Sequence, residues 1–159
     1  MTFTTLITKS IPNLLAVLII GFSALVNAGP NTETDASNVI LAGHDAVAYF
    51  TEGKPVVGST EFTATYNDAI YRFSSAKNRD MFSAAPAQYA PQYGGFCAYG
   101  LTFGKKFEID GKAFEVVDGK LYVNKNLSVY KAWKKDVPTH INQADDKWPT
   151  VENVAASEL

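Results

Sequence analysis

Glu61-Phe62-Thr63-Ala64-Thr65-Tyr66-Asn67-Asp68-Ala69-Ile70-Tyr71-Arg72-Phe73 is the stretch that decides the fold class. Phe62, Ala64 and Tyr66 fall on one face and Thr63 and Thr65 on the other, the two-residue period of a half-buried strand. Residues 70–73 form a second β-rich run. Asn67-Asp68 lies between the two, and both residue types tolerate the left-handed backbone of a tight turn without help from glycine. The stretch reads as a β-hairpin. Residues 113–117 and 120–123 flank Asp118-Gly119 in the same way, and Asp-Gly between β-rich runs predicts a second hairpin.

Helix signals fill the spaces around the hairpins. Ser74-Ser75 predicts the cap of a helix over 76–84, with Met81 and Phe82 toward the core. Pro86 suits the first turn of a short helix over 86–89, which Pro91 ends. Asn126 predicts the cap of a helix over 127–136 that places Val129, Ala132 and Trp133 on one face. Pro138 starts a last helix to about residue 147, with Ile141, Ala144 and Trp148 on its apolar side. The apolar run 47–50 reads as a short strand or extended segment. The expected class is α+β: a small antiparallel sheet built from two hairpins, packed with short helices and a C-terminal helical pair. No internal repeat, low-complexity block or heptad pattern is visible.

The N-terminus reads as an export signal. Lys9 is the only charge in the first 32 residues, an apolar run covers 11–25, and Val26-Asn27-Ala28 supplies small residues for cleavage. A membrane-spanning helix needs about 20 apolar residues, more than this run offers. The expected organisation is a signal peptide over 1–28, a flexible polar leader over 29–38, a domain over 39–149 and a polar tail over 150–159. The protein is expected to be periplasmic or secreted, with no stable membrane insertion after cleavage. Loss of Lys9 takes the formal charge from −2 to −3, and a weakly acidic chain without a basic block argues against nucleic acid as a partner.

Tyr89-Ala90-Pro91-Gln92-Tyr93-Gly94-Gly95-Phe96-Cys97-Ala98-Tyr99-Gly100 holds the one cysteine of the chain. Gly94-Gly95 marks a tight turn that delivers Cys97 between Phe96 and Tyr99. One cysteine permits no intramolecular disulfide. In an exported protein it points to a free thiol, a metal ligand or an intermolecular bridge, or else to a buried thiol acting as a small apolar residue.

Four blocks carry a family resemblance. They are Gly43-His44-Asp45-Ala46-Val47-Ala48-Tyr49-Phe50, Tyr71-Arg72-Phe73-Ser74-Ser75-Ala76-Lys77-Asn78-Arg79, the Pro91–Ala98 motif Pro-Gln-Tyr-Gly-Gly-Phe-Cys-Ala, and Val117-Asp118-Gly119-Lys120-Leu121-Tyr122. Together they resemble the YHS domain family, in its exported single-domain bacterial branch, over residues 39–149. The resemblance implies a small α+β module, and through the similar TRASH modules it implies metal binding. The multi-cysteine pattern of those modules and a literal Tyr-His-Ser are both absent, so a closed zinc site of several thiolates is not implied.

Thiolate and imidazole together suit copper or zinc. The expected metal ligands are Cys97 and His44, with Asp45 as a ligand or as the group that orients His44, and Met81 as a weak thioether. The alternative for His44-Asp45 is a turn bonded to local backbone. A second reading makes Tyr89, Tyr93, Phe96 and Tyr99 the lining of a groove for a small apolar ligand, with Cys97 structural. The competing role for these rings, and for Met81, is core packing. His140 is expected on the surface. Thiol redox chemistry lacks a partner cysteine. There is no phosphate loop, dinucleotide fingerprint or metalloprotease motif, and no catalytic residue is assigned.

Overall fold

The computed structural model describes residues 31–159. The expected signal peptide, and residues 29–30 of the expected leader, lie outside them. Both hairpins form as read. β1 (Ser59–Tyr66) pairs antiparallel with β2 (Ala69–Phe73), and β3 (Asp110–Val117) pairs with β4 (Lys120–Asn124). Each turn puts two residues in the left-handed region, Asn67 and Asp68 in one and Asp118 and Gly119 in the other. The architecture is α+β. The hairpins stay two separate two-stranded sheets instead of joining into one.

Among the described residues six α-helices surround them: α1 (Ala48–Thr51), α2 (Ala76–Ala84), α3 (Pro86–Tyr89), α4 (Ala98–Leu101), α5 (Leu127–Trp133) and α6 (Val137–Val151). The Ser75 side chain accepts from the Asn78 amide and Asn126 from the Val129 amide, so both expected caps form. α5 stops at Trp133 because Asp136 caps α6, accepting from the Thr139 amide. The run 47–50 is not a strand. The Asp45 carboxylate accepts from the Val47 and Ala48 amides and turns the chain into α1; this local side-chain-to-backbone turn overrides the β-rich composition. No helix among the described residues is long and apolar enough to cross a membrane.

The backbone plan occurs twice, which the sequence conceals. In each copy an eight-residue strand, a two-residue turn and a five-residue strand lead through a cap into a helix. The register slips at matching points: between Ser59↔Phe73 and Thr63↔Arg72 in the first copy, and between Asp110↔Asn124 and Phe114↔Val123 in the second. A parallel bridge joins Val39 to Ile70 in one and Pro91 to Leu121 in the other. Ahead of each hairpin lies a left-handed 3-10 turn, Leu41–Gly43 and Gln92–Gly95. Between the copies few positions hold the same residue, among them Gly43/Gly95, Ala46/Ala98, Gly53/Gly104, Lys54/Lys105 and Tyr71/Tyr122.

The two copies share a core across β4. Leu121 and Val123 point into one cluster, with Ile40, Val47, Tyr49, Tyr71, Phe73 and Phe82. Tyr122, on the opposite face of the strand, points into the other, with Tyr93, Phe96, Leu101, Trp133 and Ala144. The ends are tied down. In the expected flexible leader the Glu33 amide donates to Gly94 O at 2.8 Å, and the Asp35 carboxylate accepts from the Ser37 and Val39 amides. In the expected tail α6 runs on to a buried Val151, and Lys106 Nζ donates to the Glu152 and Val154 carbonyls.

Candidate functional site

Asp45 and Cys97 hold equivalent places in the two copies. The Asp45 amide donates to Val56 O and the Cys97 amide to Phe107 O. Asp45 Oδ1 accepts from the amide three residues on, Ala48, at 3.2 Å, and Oδ2 accepts from the Ser74 amide at the end of its hairpin at 2.8 Å. Cys97 Sγ accepts from Gly100 N at 3.4 Å and Lys125 N at 3.3 Å, the corresponding pair. The sulfur therefore opens α4 and ties it to the end of β4, as the carboxylate opens α1 and ties it to β2. Asp45 takes three more bonds, from Val47 N, Ser74 Oγ and Asn78 Nδ2. At the second site Asn124 stands in: its Oδ1 lies 3.7 Å from Sγ and accepts from Tyr99 N at 3.1 Å.

Cys97 is buried. Burial pushes its thiol pKa up, against the lowering effect of the Gly100, Lys125 and Tyr99 amides. A protonated, enclosed thiol is a weak nucleophile and a poor ligand until it loses its proton. His44 is also buried. Its Nδ1 lies 3.1 Å from Leu41 O, and since a carbonyl only accepts, this nitrogen carries the proton. The ring rests on Gly111, where a Cβ would lie 2.3 Å from Nδ1. Asp45 is held by its five donors, and Met81 packs against the first core cluster. Among the described residues no three His, Cys, Asp or Glu side chains converge to hold a metal.

The aromatic residues divide. Tyr89 packs into the first cluster, and Tyr93 and Phe96 into the second with Tyr99 against it. Tyr93 Oη donates to Asp145 Oδ1 at 2.8 Å. Gly94 and Gly95 have φ of 60° and 86°. A Cβ at Gly94 would sit 1.9 Å from Asn31 O, so the glycine pair is where residues 31–33 cross the domain. His140 is half-buried, with Nδ1 2.7 Å from Trp133 O and its ring edge-on to Tyr99.

Two clefts flank that crossing. One, of about 230 Å³, lies among Thr32, Ile40, Tyr71, Pro91 and Trp148. The other, of about 240 Å³, is lined by Thr32, Glu33, Thr34, Phe96, Lys106 and Glu108. Phe96 is the one ring of the four expected groove aromatics that lines either. Lys106 Nζ stands 4.9 Å from the Phe96 ring centre and 5.5 Å from that of Trp148. Burial, then Glu108 and Asp35, raise Glu33 to about 7. Lys106, Glu33 and Asn124 escaped the sequence reading because nothing local marks them. Lys106 matters through carbonyls 46 and 48 residues away.

No family model, curated protein or solved structure matches the chain.

Proposed function

We propose that this chain is an exported, non-catalytic binding module in which Cys97 is structural and a small, partly apolar ligand enters the cleft floored by Phe96. One observation carries the reading: Cys97 Sγ fills the place that the Asp45 carboxylate fills in the other copy, with the same two kinds of backbone donor. A group engaged in that way organises its loop. The cleft beside it sets an aromatic floor among an ammonium and two carboxyl groups, and placed polar groups of this kind fix a small ligand's orientation. The resemblance to exported YHS modules is consistent with a binding role and with residence in the cell envelope. It also supplies the rival reading, copper or zinc held by Cys97 with His44.

Thiol labelling of the native mature protein separates the two. On the present reading Cys97 reacts only after denaturation, and neither Cu(I) nor Zn(II) changes its rate. Rapid native labelling that either metal suppresses would overturn the structural role and favour the metal site. The ligand half of the reading is tested by titrating a naphthalene sulfonate and following Trp148 fluorescence. Saturable quenching lost in Phe96→Ala supports the cleft, and an absence of saturable quenching removes it.

A further inference from the structure

The outer edge of β1 stands open. In a hairpin with a two-residue turn the flanking residues, here Tyr66 and Ala69, form a hydrogen-bonded pair, and bonding alternates from there. Ala64 then bonds to Tyr71, while the N–H and C=O groups of Thr63 and Thr65 on β1, and of Ile70 and Arg72 on β2, point outward. On the β2 side the edge is used: the Ile70 amide donates to Asn38 O, and Ile70 O accepts from the Ile40 amide. On the β1 side Thr63 and Thr65 have no backbone partner among the described residues, and both are exposed. Edge strands are normally guarded by lysine, proline or an inward charge. Residues 62–66 contain none of these.

We propose that β1 pairs antiparallel with β1 of a second copy of this chain, about a two-fold axis through Ala64, to make a four-stranded sheet. The strand is self-complementary in that register. Thr63 exchanges both backbone bonds with the second copy's Thr65, and Thr65 with its Thr63. Their hydroxyl-bearing side chains lie opposite one another on the open face. Phe62 meets Tyr66 on the other face, and aromatic and threonine cross-strand pairs are both favourable. Ala64 meets Ala64 at the non-bonded position, where backbones come closest and a small residue fits. An isologous contact of this kind closes at a dimer and does not propagate.

The repeated hairpin supplies an internal contrast. The residue of β3 equivalent to Ala64 is Glu115, which accepts from Tyr130 Oη at 3.0 Å and lies 3.4 Å from Lys134 Nζ. The same axis there would set Glu115 against Glu115 at the tightest spacing and displace those partners. Like charges directly opposite are unfavourable. The dimer therefore forms through β1 and not through β3.

Sedimentation equilibrium of the mature protein over a concentration series, with reductant present to exclude a Cys97 disulfide, reads the proposal directly. The expected result is a reversible monomer–dimer equilibrium. Thr65→Pro removes an outward N–H that the hairpin does not use, which edge strands tolerate, and should raise the dimer Kd at least ~10-fold. Should that variant fail to fold, the exposed pair serves instead. T63K/T65K opposes like charges and should be monomeric, while T63K/T65E opposes unlike charges in the same register and should restore the dimer. A wild-type protein that is monomeric throughout overturns the proposal. So does a dimer that T63K/T65K leaves intact, which would place the contact on another surface.

Discussion

A buried carboxylate is stable only where enough donors face it, and Asp45 has five. Replacing it by alanine leaves the Ser74 hydroxyl, the Asn78 amide and three backbone amides without their acceptor, and a buried unsatisfied donor costs ~1–3 kcal/mol. Asp45→Ala should therefore lower unfolding stability by at least ~3 kcal/mol in urea titration, the cost reduced by partial relaxation around the small side chain. Cys97→Ala removes an acceptor from two amides, with sulfur the weaker partner, and should cost less, about 1–2 kcal/mol. If Cys97→Ala proves the more damaging, the two positions are not doing the same job. The sequence offers a turn at Asp45 only as the alternative to a metal-ligand role, and on that alternative its bonds to local backbone are legible. Its bonds to Ser74 and Asn78 are not, because they depend on β2 returning past α1. For the same reason the thiol of Cys97 looks available in the sequence and is enclosed in the fold.

At the scale of elements, turn chemistry and caps carried most of what could be read. Asn67-Asp68 and Asp118-Gly119 define both hairpins, and Ser75 and Asn126 start both following helices. The repeat itself escaped because it is a repeat of backbone geometry. Carboxylate stands against thiol, Phe82 against Trp133 and Ala64 against Glu115 at equivalent positions. The fate of the leader was also hidden. Its polar composition is that of a free segment, and what holds it is a clearance on the domain at Gly94. A methyl group there would overlap the Asn31 carbonyl at 1.9 Å, at a backbone angle that already favours glycine. Gly94→Ala should therefore detach residues 31–34 while the hairpins stay folded. Limited proteolysis should show cleavage between residues 31 and 38 in the variant well before the wild type. Equal cleavage rates would mean that the Glu33–Gly94 backbone bond is not what secures the segment.

Residues 31–159 should unfold as one cooperative unit, because β4 feeds both core clusters, with Leu121 and Val123 on one side and Tyr122 on the other. Ends that dock on such a unit contribute to its overall stability, and the docked leader carries a titratable group into the Phe96 cleft. Glu33 is raised from an ordinary 4.5 to about 7, first by burial and then by Glu108 and Asp35. Between these values the folded chain keeps a proton that the unfolded chain has released, so unfolding releases a proton and stability falls as pH rises. Below about 4.5 Glu33 is protonated in both states, and above about 7 it is ionised in both, so its effect is level outside the window. Glu108 and Asp136 are held below their ordinary values, so each loses its contribution as pH falls and acts in the opposite sense on the acid side. Urea midpoints measured from pH 5 to pH 8 should therefore decline through the window spanned by 4.5 and about 7 and then flatten. Glu33→Gln, neutral throughout and close in shape, should remove most of the decline and be the more stable protein at the upper end. A decline that persists unchanged in Glu33→Gln would assign the proton to another group and leave the leader docked by its backbone alone.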